Sequence, residues 1–241
     1  MKDSPRIKIV YIITRLERGG SPDVVLSLFE HLDERRFDKY LIYGPTSNFP
    51  PCFDAIKQAY KDRIILLPSL VRSVNPVKDC VAFNFLLNFF KKQKFQIVHT
   101  HTSKAGFIGR IAAKLSGTPI IIHTPHGHIF YGYFNLLMNK AIIFIERALA
   151  RITDKIITLT ESGKADYVRL KIAHADKFVP IYCGINLEKF LNAQIERNLL
   201  KERLAIKEKF VVGTVSRLDP VKGMQYFINA ANLISKKLPD V

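Results

Sequence analysis

The chain has 241 residues, 48% of them apolar and 11% aromatic, and a formal net charge of +16. That length suits one large α/β domain or one and a half ordinary ones, and that apolar share supports a substantial core, which excludes a disordered or low-complexity protein. No stretch approaches the ~20 uncharged apolar residues of a membrane-spanning helix.

The three cysteines, Cys52, Cys80 and Cys183, are widely spaced and form no CxxC or Cys/His cluster. They suit a reducing cytoplasm and argue against a disulfide framework or a zinc site. The positive charge favours anionic partners, either an anionic lipid surface or a phosphorylated ligand. It is scattered in short runs, which argues against nucleic acid.

In chain order, the first residues carry charge ahead of a short apolar stretch that has no small-residue cleavage site and runs directly into Thr14-Arg15-Leu16-Glu17-Arg18. Residues 7–13 therefore read as a first β-strand and not as a signal peptide. Gly19-Gly20 break it, Ser21 can cap, and Pro22 suits a first helical position before Val24-Val25-Leu26. Further strands are predicted at 39–43, 64–67, 97–100, 119–124, 155–160 and 178–181, with helices at 77–92, 105–115, 136–150 and 161–170. This alternation predicts an α/β fold, a doubly wound parallel Rossmann-like sheet, for residues 1–182. Within the helix at 77–92, the stretch 83–92 mixes aromatics with Lys91-Lys92. It reads either as an interfacial membrane helix or, preferably, as a helix facing the core.

After Tyr182 the pattern changes. Residues 183–208 read as a linker containing a helix at 194–204. Residues 209–241 read as the first βα unit of a second Rossmann-like domain, with a strand at 210–215 and a helix at 224–236. One βα unit cannot bury its own apolar faces, so this second domain is expected to be incomplete.

Four loops carry the candidate chemistry. Gly19-Gly20 lets a ligand approach the backbone at a helix N-terminus, where free N–H groups and the dipole favour anions; it reads equally as a tight turn. His99 and His101 alternate along a strand and so share a face, a spacing compatible with metal ligation or with a hydrogen-bonded core histidine. His126 stands between Thr124-Pro125 and Gly127, displayed at a strand end, where an imidazole can donate to a sugar hydroxyl or phosphate oxygen or exchange a proton; a polar loop is the plainer reading. Arg217 and Lys222 lie on either side of one strand-to-helix turn and suit a diphosphate, or form a solvated basic turn.

These motifs, in order, resemble family 4 of the glycosyltransferases, retaining enzymes of the GT-B fold. The resemblance rests on Gly19-Gly20, HTHTSKAGFIGRIAA from His99, HTPHGHIF from His123, DKIITLTES from Asp154, CGINLEKF from Cys183 and GTVSRLDPVKG from Gly213. It implies an amino-terminal domain that receives the acceptor and a carboxy-terminal domain that holds a nucleotide sugar. By position it implies a catalytic role for His126, donor binding by Gly19, Gly20, Arg217 and Lys222, and acceptor binding by His101, Lys104 and His128. It implies a UDP-sugar as co-substrate, no metal or other cofactor, a lipid-linked saccharide acceptor, and a cytoplasmic location peripheral to the inner membrane face. Cys183 stands where the family often has Asn. The family's carboxy-terminal pair of glutamates has no counterpart, so these residues alone are expected to turn over little. A GT-B epimerase and a non-catalytic acceptor-binding or membrane-binding protein are the alternatives. No G-x-G-x-x-G follows a strand, which disfavours a dehydrogenase.

Overall fold

In the computed structural model the described residues are 5–127, 130, 135–184, 187, 191, 194–205, 211–216, 218 and 220–238. Contacts between Cα atoms divide the chain into Met1–Cys183 and Gly184–Val241.

The first unit runs β1 (Ile7–Ile13), α1 (Gly20–His31), β2 (Phe37–Tyr43), α2 (Phe53–Ala59), β3 (Ile64–Leu66), α3 (Pro76–Gln93), β4 (Ile97–His101), α4 (Ser103–Leu115), β5 (Ile120–Thr124), α5 (Leu136–Arg151), β6 (Lys155–Thr158), α6 (Glu161–Arg169) and β7 (Phe178–Pro180). The strands form one seven-stranded parallel sheet in the order β3-β2-β1-β4-β5-β6-β7. This is the doubly wound sheet the alternation predicts. Successive side chains of β1 go to opposite faces: Val10 and Ile12 join α3 and α4, while Ile9, Tyr11 and Ile13 join α1 and α2. A strand covered on both faces has no polar side, hence its unbroken apolar run.

Several ends differ from the predicted ones for local reasons. β6 stops at Thr158 because Thr160 caps α6, its Oγ1 accepting from the Gly163 N–H at 3.0 Å. α1 begins at Gly20 with Gly19 as its N-cap and has no side-chain cap, so Ser21 does not cap it and Pro22 falls third in the helix. Proline is tolerated there because the first-turn N–H groups have no intrahelical acceptor. α2 carries only Phe53 and Ile56 inward, too little periodicity to show in the sequence.

α3 is capped by Asn75, which accepts from the Lys78 N–H at 3.0 Å. Ala82, Leu86 and Phe90 form its buried stripe, and Phe83, Leu87 and Phe89 pack against the same core. The stretch 83–92 is therefore a core-facing helix, with Phe85 the most exposed of its aromatics at 37%. No helix among the described residues is long and apolar enough to cross a membrane.

The second unit holds α7 (Gln194–Arg203), a 3-10 turn at Pro220–Lys222 and α8 (Met224–Ser235). The strand predicted at 210–215 does not form among its described residues, 211–215. A strand is held by a ladder, and no described residue pairs with this segment; Val211, Val212 and Val215 remain exposed. α8 likewise buries none of its residues.

Candidate active site

The sheet order reverses between β1 and β4, the switch point at whose carboxyl edge doubly wound sheets bind ligands. Register aligns Ile13 with His101 and His101 with Thr124, so the loops after β1, β4 and β5 emerge side by side. Thr14 Oγ1 lies 2.9 Å from Thr102 Oγ1 and accepts from the Ala105 N–H at 3.1 Å, tying the end of β1 to the first turn of α4. Thr102 adopts φ 66°, ψ 163°, a conformation costing a non-glycine residue about 1–3 kcal/mol. Its N–H donates to the Thr124 carbonyl at 3.2 Å, and its carbonyl accepts from Gly106 at 2.8 Å. These bonds hold it there.

Four histidines line this edge. The His99 and His101 rings lie tilted to one another with centroids 4.1 Å apart, against the Tyr11 ring. His99 Nε2 is 2.8 Å from Thr124 Oγ1, making it the hydrogen-bonded core histidine foreseen as one option. His123 Nδ1 lies 2.9 Å from Thr100 Oγ1 and 3.1 Å from the Thr100 carbonyl. Its ring lies over Gly106, where any Cβ would overlap it. His126 Nε2 is 2.9 Å from His101 Nδ1. His126 sits at φ 59° and Gly127 at φ 115°, a double left-handed turn that swings the His126 ring back over β4.

Burial keeps all four imidazoles neutral, because it disfavours the cation. It pushes His126 down to about 4. It pushes His99 to about 3, with a smaller contribution from His126. His101 and His123 lie well below their ordinary value, through burial first, and for His123 next through the Arg110 guanidinium. Among the described residues no group of three or more His, Cys, Asp or Glu side chains is placed to hold a metal ion.

The structure brings Gly19, Gly20, His101, Lys104 and His126 into the first unit, at the ends of β1, β4 and β5. Gly19, at φ 152°, turns the chain into α1, and a side chain at Gly20 would meet nothing within 4 Å. The first turn of α1 is thus open to an anion. His101 is fully buried behind His126, so the expected direct acceptor contact is closed to it. Lys104 is turned away as well: Nζ bonds Asp79 Oδ2 at 2.6 Å and the Ser73 carbonyl at 2.9 Å, fastening α4 to α3. Lys222 lies exposed in the second unit. Arg217 and His128 lie outside the described residues. The pairing of Thr14 with Thr102 escaped the sequence reading: Thr102 lies within the motif that starts at His99, but only strand register joins it to Thr14.

The family model of Glycosyltransferase Family 4 matches residues 18–189. The chain belongs to glycosyltransferase family 4. Among curated relatives it is 32% identical over 238 residues to the UDP-Gal:alpha-D-GlcNAc-diphosphoundecaprenol alpha-1,3-galactosyltransferase of Escherichia coli, covering 98% of this chain and 60% of that one. It is 30% identical over 190 residues to the capsular polysaccharide biosynthesis glycosyltransferase CapM of Staphylococcus aureus, covering 74% of this chain and 47% of that one. The chain thus spans about three-fifths or less of these relatives' length. Among solved structures, a glycosyltransferase from Rickettsia africae superposes with a TM-score of 0.59 at 17% identity, over 86% of this chain and 51% of that one. A UDP-GlcNAc 2-epimerase from Neisseria meningitidis superposes with a TM-score of 0.53 at 12% identity, over 84% and 55%. At such identities the structures share the Rossmann-like fold of GT-B proteins; the sequence relatives are transferases.

Proposed function

We propose that the chain is the acceptor-side portion of a retaining glycosyltransferase. It moves a sugar from a UDP-sugar to a lipid-linked saccharide during synthesis of a surface polysaccharide or glycolipid. One observation carries this: the switch-point edge joins an uncapped, open helix N-terminus at Gly19-Gly20 with a half-buried, neutral His126. The first suits a diphosphate and the second a sugar hydroxyl, and the named activity of the Escherichia coli relative combines both groups. In the reaction the acceptor hydroxyl oxygen bonds to the anomeric carbon while the bond from that carbon to the diphosphate oxygen breaks. The bonding pair leaves on the nucleoside diphosphate, whose phosphate oxygen takes the hydroxyl proton. No protein nucleophile enters, and the protein's contribution is positioning and charge stabilisation. His126 orients the transferred sugar and Gly20 lies along the diphosphate. Arg217 and Lys222 are assigned to the diphosphate, and His128 to the acceptor, by the family resemblance alone. No metal takes part in this reading. Peripheral attachment to the cytoplasmic face of an anionic membrane belongs to it too, supported by the net charge of +16.

The test separates binding from turnover. Titrating the chain with a short-prenyl diphosphate-linked N-acetylglucosamine is expected to shift the His126 ring resonances and to leave those of His99 in place. Incubation with UDP-hexoses and that acceptor is expected to give at most traces of an α-linked disaccharide. Absence of acceptor binding, or epimerised nucleotide sugar without transfer, would overturn the proposal.

A further inference from the structure

Helix α5 is apolar on two sides. Inward, Ile142, Ile143 and Ala150 pack with Ile156, Tyr167 and Phe178, and Glu146 closes on the buried Arg110. Outward, Leu136, Lys140, Phe144, Arg147 and Arg151 recur at spacings of three and four and so form one stripe along the helix. Every residue of that stripe is exposed, with Leu136 at 81% and Phe144 at 72%, and Leu137 beside it is exposed to 79%. The stripe holds three cations and no acid, since Glu146, the one acid of α5, is turned inward.

The stripe ends in a basic cleft of about 420 Å³ between the last turn of α5 and the segment from Lys171 to Lys177. Lys177 directly precedes β7, which places the cleft at the amino edge of the sheet, away from the switch-point loops. Two cations brace its walls. Arg147 Nη2 donates to the Leu170 carbonyl at 2.8 Å, and Lys177 Nζ to the Ala150 and Thr153 carbonyls at 2.7 and 2.8 Å. These bonds satisfy the end of α5 and offset its negative dipole without engaging a carboxylate. Arg151 and Lys171 have no partner among the described residues. Asp176 is the only acid lining the cleft, which therefore stays positive.

We infer that the outer face of α5 and the basic cleft at its end form one surface that docks on an anionic lipid bilayer. Leu136, Leu137 and Phe144 enter the boundary of the acyl chains, and Arg151 and Lys171 reach lipid phosphates. Apolar side chains interleaved with cations fit that boundary, because the long cationic stems keep their charged ends at the headgroups while the apolar groups go deeper. The surface locates the membrane attachment of the reading above and rests on that attachment, not on sugar transfer.

Cosedimentation with vesicles of equimolar phosphatidylglycerol and phosphatidylcholine is expected to show binding that salt weakens and that phosphatidylcholine alone does not support. Arg151→Ala/Lys171→Ala is expected to weaken it about 25-fold, at about fivefold per cation. Lys57→Ala/Lys61→Ala removes two exposed cations at α2, on the opposite face of the sheet, and is expected to leave it nearly unchanged. Equal losses in the two variants would mean that net charge alone acts, and would overturn the inference. The sequence has no tryptophan, so Phe144→Trp places a single reporter on the outer face. Its emission is expected to shift to the blue on the anionic vesicles and to be quenched by brominated acyl chains. Emission that vesicles leave unmoved overturns the inference. So does emission already shifted in the free protein together with a dimer's mass in sedimentation velocity, which would assign the face to a second copy. Vesicle binding without acceptor binding would remove the transferase reading and leave this surface standing; acceptor binding without vesicle binding would remove this surface alone.

Discussion

The four neutral histidines make a sharp prediction about acid. A histidine titrates near 6.5 in the unfolded chain, whereas His126 is held at about 4 and His99 at about 3 in the folded one. Below pH 6.5 the unfolded state therefore binds protons that the folded state refuses, and stability rises with pH wherever that holds. The sign is fixed: the full stability is present above 6.5 and is lost as pH falls toward the folded values. Lowering the pH from 7.5 to 5.5 costs about 1.4 kcal/mol for each such histidine, hence about 3 kcal/mol for His99 and His126 together. His101 and His123, shifted the same way, add to this loss. Against a typical domain stability of about 5–15 kcal/mol that is a large fraction. Carboxylates titrate mainly below this interval, so the loss belongs to the imidazoles. Urea unfolding followed by far-ultraviolet circular dichroism at pH 7.5, 6.5 and 5.5 measures it, and His126→Gln should shrink the loss by about 1.4 kcal/mol. A loss below about 1 kcal/mol in the parent chain would mean that the folded site accepts these protons, refuting the burial argument.

Glu146→Ala should cost about 3–5 kcal/mol in the same assay at pH 7.5, because it strands the fully buried Arg110, whose Nη2 reaches both Glu146 oxygens at 2.9 and 3.0 Å. The double variant Arg110→Met/Glu146→Leu should lie near the parent; equal loss in both would refute the stranded-charge account. Gly106→Ala should cost about 1–3 kcal/mol, since its methyl group overlaps the His123 ring. An unchanged urea midpoint would show that the ring moves aside freely.

Much of the first unit was legible because a parallel sheet imposes a coarse signal. Strands such as β1, covered on both faces by Val25, Phe29, Leu86 and Ala112, must be apolar throughout, and helices such as α3 must repeat their buried residues every fourth position. The site was legible only in part. His126 was visible through its flanking proline and glycine, and Gly19-Gly20 through the break they make. The partners of His101 and Lys104 were not, because strand register and helix packing choose them. Spacing shows that His99 and His101 share a face, but not that His126 closes over that face from the next strand. Lys104 looks in sequence like a ligand-binding cation, yet an acid on α3, Asp79, lies within reach and takes it. The predicted strand at 210–215 failed for the opposite reason: its pattern is sound, but a pattern becomes a strand only when another strand pairs with it.

The same neutrality that makes the site acid-sensitive limits what it can do. Four imidazoles kept uncharged by burial cannot neutralise a departing diphosphate. Of the cations in the first unit's motifs, Lys104 is paired with Asp79 and Arg110 with Glu146, so neither is available to such a charge. This edge offers an anion the uncapped first turn of α1 at Gly19-Gly20, worth on the order of 1 kcal/mol of dipole stabilisation, with the exposed Arg18 just before it. That is small beside the ~8 kcal/mol or more that an enzyme removes from a barrier. The proposed division of labour follows: the first unit positions sugar and acceptor, and the charge of the leaving group falls to cations such as those assigned to Arg217 and Lys222.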